Sequence, residues 1–99
     1  MDERLMLGKN NWPDRAKIER SFIDTGFIDL LPLALEMAGN LGYDQTEVIE
    51  AICKVNDKFD RYPPSKNRLA WFKKVFEEKL SESRADILAH YAKKKYYSR

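Results

Sequence analysis

The stretch Asp44-Gln45-Thr46-Glu47-Val48-Ile49-Glu50-Ala51-Ile52-Cys53-Lys54-Val55-Asn56-Asp57-Lys58-Phe59 decides the fold class. Its first four residues are a capping box: the Asp44 carboxylate can accept from the Glu47 N–H while the Glu47 side chain reaches back to the Asp44 N–H. Behind that start, Val48, Ala51, Ile52, Val55 and Phe59 recur at the 3.6-residue period and share one face. Cys53 stands at the edge of that face, where a small buried thiol is the expected occupant. The helix must stop before Pro63-Pro64, because the residue preceding a proline is pushed out of the α region.

Helical punctuation continues on the N-terminal side. Phe27 to Leu41 is the most hydrophobic segment of the chain. Asp29 can cap it, and Pro32 is tolerable in its first turn, where backbone N–H groups lack partners. Leu30, Leu31, Leu33, Ala34, Leu35, Met37, Ala38 and Leu41 cover well over half the circumference, the mark of a central helix. Gly39 and Gly42 end it. Before it, a mostly polar helix over about 13–24 has Pro13 in its first turn and Gly26 at its far end. Its apolar contacts are Ala16, Ile18, Phe22 and Ile23.

On the C-terminal side, Ser65 can cap a further helix. There Leu69, Phe72, Phe76, Leu80, Ile87 and Tyr91 fall within one arc about 100° wide. No Gly or Pro follows Ser65. One long helix from about 66 to beyond 91 is the simpler reading, and a break at Ser81 or Ser83 is the alternative. Trp71 and Val75 stand one helical step off the stripe, covered either by another helix or by a partner protein. No run alternates like a strand, and no internal repeat is evident. The expectation is an all-α single domain over 1–99: a compact bundle of four to five helices with 27–41 central and a long basic C-terminal helix across the others. Residues 1–11 and 93–99 are expected to be flexible.

Ninety-nine residues support one core, and 43% hydrophobic with 34% charged residues is a globular balance. At this size the core is marginal, so a partner surface or self-association is a live expectation. The single cysteine cannot form an internal disulfide, which fits a reducing compartment. Residues 1–8 have no apolar leader core, and no run approaches the ~20 apolar residues of a membrane span. A cytoplasmic protein is expected.

Charge is split by position. Residues 1–50 sum to −5 and residues 51–99 to +7, within a net charge of +2. The basic half also holds Trp71, Phe72, Phe76, Tyr91, Tyr96 and Tyr97. A basic surface with interleaved aromatics suits nucleic acid, an acidic protein face or anionic lipid. Lys73, Lys74, Arg84, Lys93, Lys94, Lys95 and Arg99 are the candidate phosphate contacts, with Tyr96 and Tyr97 available to stack on unpaired bases. Solubility and complementation of the helix macrodipole explain such lysines equally well.

Catalytic signals are missing. His90 and Cys53 are single and far apart in sequence, whereas zinc needs three or four converging ligands. Surface pairs Lys73–Glu77 and Lys74–Glu78 account for the neighbouring carboxylates. No phosphate loop, dinucleotide fingerprint or nucleophile elbow is present. No enzyme activity, metal or cofactor is expected. Residues 33–52 read as helix, glycine-containing turn, helix, but Asp44, Glu47, Glu50 and Asp57 would face phosphate, so an ordinary helical hairpin is the better reading.

Glu47 to Leu80 pairs a helix of the type Val48-Ile49-Glu50-Ala51-Ile52 with a second that opens at Asn67. An aromatic pair, Trp71-Phe72, and spaced Val75 and Phe76 follow. This third of the chain resembles the helical domain of DnaD-like replication-initiation and primosome proteins of bacteria and phages. Such proteins usually also carry a winged-helix domain, which is not among these residues. The resemblance implies DNA binding and contact with a helicase or its loader. Two functions are therefore expected from different classes. The first is a small non-enzymatic protein that contacts nucleic acid or the replication machinery through its basic C-terminal helix. The second is a protein–protein adaptor or inhibitor, of phage or bacterial origin, that uses Trp71 and Val75 or the acidic half. A third arrangement pairs opposite halves of two copies into a salt-sensitive homo-oligomer.

Overall fold

The computed structural model describes the backbone of residues 12–97 and the side chains of residues 12–92. The expected flexibility of 1–11 lies outside the described residues. The described residues form four α-helices and no strand: α1 (Arg15–Thr25), α2 (Leu31–Leu41), α3 (Gln45–Arg61) and α4 (Arg68–Tyr97). A 3-10 turn, Ile28–Leu30, leads into α2.

Each start and stop has a local cause. α1 begins at Arg15, so Pro13 lies just before it and not in its first turn; Asp14 is the cap, its carboxylate accepting from the Lys17 N–H at 3.1 Å. The capping box of α3 forms in full, with Glu47 N–H to Asp44 Oδ1 at 2.9 Å and Asp44 N–H to Glu47 Oε1 at 2.8 Å. Asn67, rather than Ser65, caps α4, its Oδ1 accepting from the Ala70 N–H at 3.0 Å. Asp29 caps nothing; the turn before α2 has no side-chain cap. Gly26 and Gly42 take φ values of 82° and 80°, the left-handed conformation that closes α1 and α2. In both, the next residue donates back five positions: Phe27 N–H to the Phe22 carbonyl at 2.9 Å, and Tyr43 N–H to the Ala38 carbonyl at 2.8 Å.

The helices alternate in direction. Asp14 N–H reaches Gln45 Oε1 at 2.8 Å, so α1 and α3 start at the same end. α4 runs back along α3, pairing Lys58 with Glu78, Lys54 with Asp86 and Glu47 with Arg84. The core is an aromatic spine. Trp71 meets Phe59, Phe59 meets Phe27, and Phe27 meets Phe72 at centroid distances of 5.5 to 5.7 Å. Phe72 stacks on Phe76 at 5.1 Å, and Phe76 meets Phe22 edge-on at 6.3 Å. Six rings stitch α1, α3 and α4 to the connection at Phe27, in the offset and edge geometries that the ring quadrupole favours.

Two expectations need correction. The central helix is α3, not 27–41: α3 buries Glu47, Val48, Ala51, Ile52 and Val55, whereas α2 buries only Leu31, Ala34 and Ala38. Leu33 and Leu35 of α2 are only half-buried, and Leu41 is exposed. Gly39 does not end α2; the helix continues to Leu41, and the Trp12 ring lies over Gly39. The long C-terminal helix forms in one piece, as the simpler reading had it, unbroken at Ser81 and Ser83 and with a helical backbone through Tyr97. Ser83 is fully buried with its hydroxyl unpartnered, so it is a core residue and not a cap.

Two stability predictions follow from the packing. Phe76→Ala costs about 3–5 kcal/mol in urea unfolding, because it empties a fully buried site and cuts Phe22 off from the rest of the spine. A Cβ at Gly39 would meet Trp12 at 3.8 Å, an ordinary contact. Gly39→Ala therefore stabilises by about 0.5–1 kcal/mol through helix propensity, and a lowered urea midpoint would contradict that placement.

Candidate binding surface on the C-terminal helix

α4 has three parts. Its first four turns belong to the core, with Phe72, Val75, Phe76 and Leu80 buried. Its edges carry two arginine clamps of the same design. Arg68 donates to Asp29 Oδ2 at 2.9 Å and to the Gly26 carbonyl at 3.1 Å, with its guanidinium 4.9 Å from the centre of the Phe27 ring. Arg84 donates to Glu47 Oε2 at 2.8 Å, Glu47 Oε1 at 3.0 Å and the Gly42 carbonyl at 2.7 Å, and lies 4.3 Å from the centre of the Tyr43 ring. In each case an arginine recognises a left-handed glycine cap by its carbonyl, a carboxylate by its paired oxygens and an aromatic face by charge. Each arginine stands 42 positions after its glycine. The two clamps are 16 residues apart on α4, about 24 Å along the axis.

The third part is the end of α4. Ile87 is half-buried, but Leu88, Ala89, His90, Tyr91 and Ala92 are all exposed. The covering helix α3 begins only at Gln45, level with Arg84, so α4 outruns its cover. Beyond Arg84 the helix continues for thirteen residues as an arm, about 20 Å long. Helix nucleation is already supplied by the packed part, which lets the arm stay helical without tertiary support.

The expected site residues separate accordingly. Lys73 and Lys74 are exposed on the outer face of α4, beside a shallow groove lined by Met37, Leu41 and Ala70. Arg84 is not available to phosphate, because its guanidinium is held by Glu47, Gly42 and Tyr43. Val75 is 4% exposed and belongs to the core, so it is not an interface residue. Trp71 is half-buried against Phe59. Lys93, Lys94, Lys95, Tyr96 and Tyr97 follow on the arm, where the backbone is helical and the side chains lie outside the described residues. Arg99 lies outside them altogether. Neither expected surface pair closes: Glu78 reaches across to Lys58 at 3.3 Å, and no ion pair joins Lys73 to Glu77 among the described residues.

Sequence reading missed a second cationic cluster. Lys54, Lys58 and Arg61 on α3 meet Lys79 of α4 in an open cleft, with Tyr62 exposed at one side. Their i, i+4, i+7 spacing was the available signal. Asp86, Glu78 and Glu82 neutralise three of these cations at 3.0 to 3.3 Å, so the cleft is an ion-pair network. Cys53 is exposed, not buried. Burial around its sulfur, with Glu50 and Asp57 nearby, pushes its thiol up, away from a reactive thiolate. The helix–turn–helix segment 33–52 is the α2–α3 hairpin. Its second helix is the buried centre of the bundle and presents Glu50, Asp57 and Asp60 outward.

No family model matches the chain, and no curated protein or solved structure does either.

The clamps give the fold an acid limit. Burial pushes the Glu47 carboxyl up, but hydrogen bonds from Arg84 and from the Asp44 N–H outweigh it and hold the group below its usual value. The Arg68 hydrogen bond does the same to Asp29. Groups depressed in the folded state stabilise above their unfolded values, and that contribution is lost as pH falls through the folded ones. Unfolding free energy should therefore be nearly level at neutral pH and fall below about pH 4.5. Glu47→Gln should flatten that acid limb while lowering neutral stability; an unchanged limb in urea titrations across pH would contradict the clamp.

Proposed function

We propose that this chain is a small non-enzymatic binding protein that contacts nucleic acid through the projecting end of α4. The observation that carries the reading is the arm itself. α4 leaves its cover at Arg84, exposes Leu88 to Ala92, and continues into Lys93-Lys94-Lys95-Tyr96-Tyr97. A helix presented this way offers several cations to phosphates with little packing lost, and its tyrosines suit unpaired bases. Lys73 and Lys74 extend the cationic track down the outer face of α4. Removing Arg84 from that track leaves the arm as its dominant part. The setting in replication, with a helicase or loader as neighbour, rests on the resemblance of Glu47–Leu80 to DnaD-like helical domains. A cytoplasmic location fits that setting.

A second reading is a protein-binding adaptor, supported by the groove of Met37, Leu41 and Ala70 beside Lys73 and Lys74. Charge reversal separates the two. Fluorescence anisotropy with labelled single- and double-stranded DNA and RNA should show binding that weakens on the order of 100-fold between 50 and 200 mM salt for about four neutralised phosphates. Lys93→Glu, Lys94→Glu and Lys95→Glu together should reduce affinity at least tenfold, and Lys73→Glu with Lys74→Glu by a smaller factor. No binding at 50 mM salt, or no effect of the arm substitutions, would overturn the nucleic-acid reading and leave the adaptor.

A further inference from the structure

α2 and α4 leave a groove between them, lined by Met37 and Leu41 from one helix and by Ala70, Lys73, Lys74 and Glu77 from the other. Ala70 keeps it open, since a methyl group is all that α4 presents at that position. Leu41 is 47% exposed and Met37 half-buried, so the groove holds apolar surface that the bundle does not cover. Its charges are likewise unanswered. Lys73, Lys74 and Glu77 are exposed and join no ion pair among the described residues. In the cleft between α3 and α4, by contrast, Lys54, Lys58 and Lys79 each hold a carboxylate.

Three properties of the groove fix what fits it. Both walls are helices whose backbone groups bond within the helix, so there is no strand edge to extend and an occupant has to satisfy its own backbone. A helix does so, and it lays side chains into such a groove at i, i+3 and i+4 spacing. No aromatic ring lines the groove, so unpaired bases have nothing there to stack on, and phosphates make no use of Met37 and Leu41. On the rim the adjacent Lys73 and Lys74 outweigh Glu77, which favours carboxylates on the occupant. We propose that the groove docks a short amphipathic helix of a partner protein. Its aliphatic anchors lie over Met37, Leu41 and Ala70, and its acidic flank meets Lys73 and Lys74. Met37, a flexible thioether, adapts to the shape of the anchors. This assigns the partner chemistry of the adaptor reading and rests on that reading.

The test titrates the full chain, isotope-labelled for amide spectra, with two synthetic helical peptides of about 15 residues. Both carry leucine at i, i+3, i+4 and i+7; one has glutamate at the flanking positions and the other lysine. The glutamate peptide should shift amides of residues 37–41 and 70–77, and bind several-fold more weakly as salt rises from about 50 to 500 mM. Leu41→Lys should reduce its affinity on the order of tenfold, the loss of one aliphatic contact. Ala70→Leu, which fills the groove, should reduce it at least as much. Lys73→Glu with Lys74→Glu should transfer binding to the lysine peptide. All four positions are exposed, and amide spectra unchanged away from the groove confirm that each variant folds. Binding indifferent to Leu41→Lys and Ala70→Leu overturns the proposal. A preference of the unaltered chain for the lysine peptide overturns it too, while leaving an adaptor of another specificity. Shifts from neither peptide overturn both the proposal and the adaptor reading.

Discussion

The Arg84–Glu47 clamp is the constraint on which the rest of the structure turns. Glu47 first caps α3 from within, as the returning half of its capping box. The same carboxylate then holds Arg84 through both oxygens, and Arg84 in turn takes the carbonyl of Gly42. One guanidinium thereby joins the end of α2, the start of α3 and the last packed turn of α4. Glu47 is nearly buried, 6% exposed. A buried carboxylate is costly without a paired cation, so the clamp has to form for α3 to begin where it does. Arg68 repeats the arrangement at the other end of the bundle, with Gly26, Phe27 and Asp29. Between the two clamps the aromatic spine fills the core; beyond the second, Asp86 still reaches Lys54 of α3, and from Leu88 to Ala92 α4 is exposed.

That division gives the split in charge a structural meaning. Two of the basic half's arginines, Arg68 and Arg84, are spent on carboxylates of the acidic half, and so hold the chain's two halves together. Lys54, Lys58 and Lys79 are balanced by Asp86, Glu78 and Glu82. Outside these pairs, α4 carries Lys73 and Lys74 exposed on its outer face and Lys93, Lys94 and Lys95 in its last turns. The near-neutral total conceals a balanced body with a basic extension.

Legibility in the sequence followed the range of the interactions. The capping box, the helix boundaries at Gly26 and Gly42, and the buried face of α3 depend on residues within a turn or two of each other, and they could be read directly. The all-α bundle followed from them. The choice of central helix could not, because hydrophobic content measures how much surface a segment wants to bury, not what reaches it. α2 packs through Leu31, Ala34 and Ala38, the alanines permitting close approach, while Leu33, Leu35 and Leu41 lie at the margins. Ser83 looked like a cap and is core for a similar reason: a neighbouring helix covers it. The clamps link residues about forty positions apart, yet a trace was present. Gly26-Phe27 and Gly42-Tyr43 are spaced as Arg68 and Arg84 are. Of the candidate site, Lys73 and Lys74 stand exposed as read, whereas Arg84 and Val75 were assigned to partners that the fold itself supplies.

Past Arg84, α4 changes from core element to exposed arm. Amide hydrogen exchange along α4, at low micromolar protein with and without a single-stranded oligonucleotide, reads that change residue by residue. The account predicts strong protection from Phe72 to Ser83 in both samples. It also predicts weak protection from Leu88 to Ala92 in the free protein, rising on addition of the oligonucleotide. Uniform protection along the whole helix, or a response confined to Lys73 and Lys74, would contradict it.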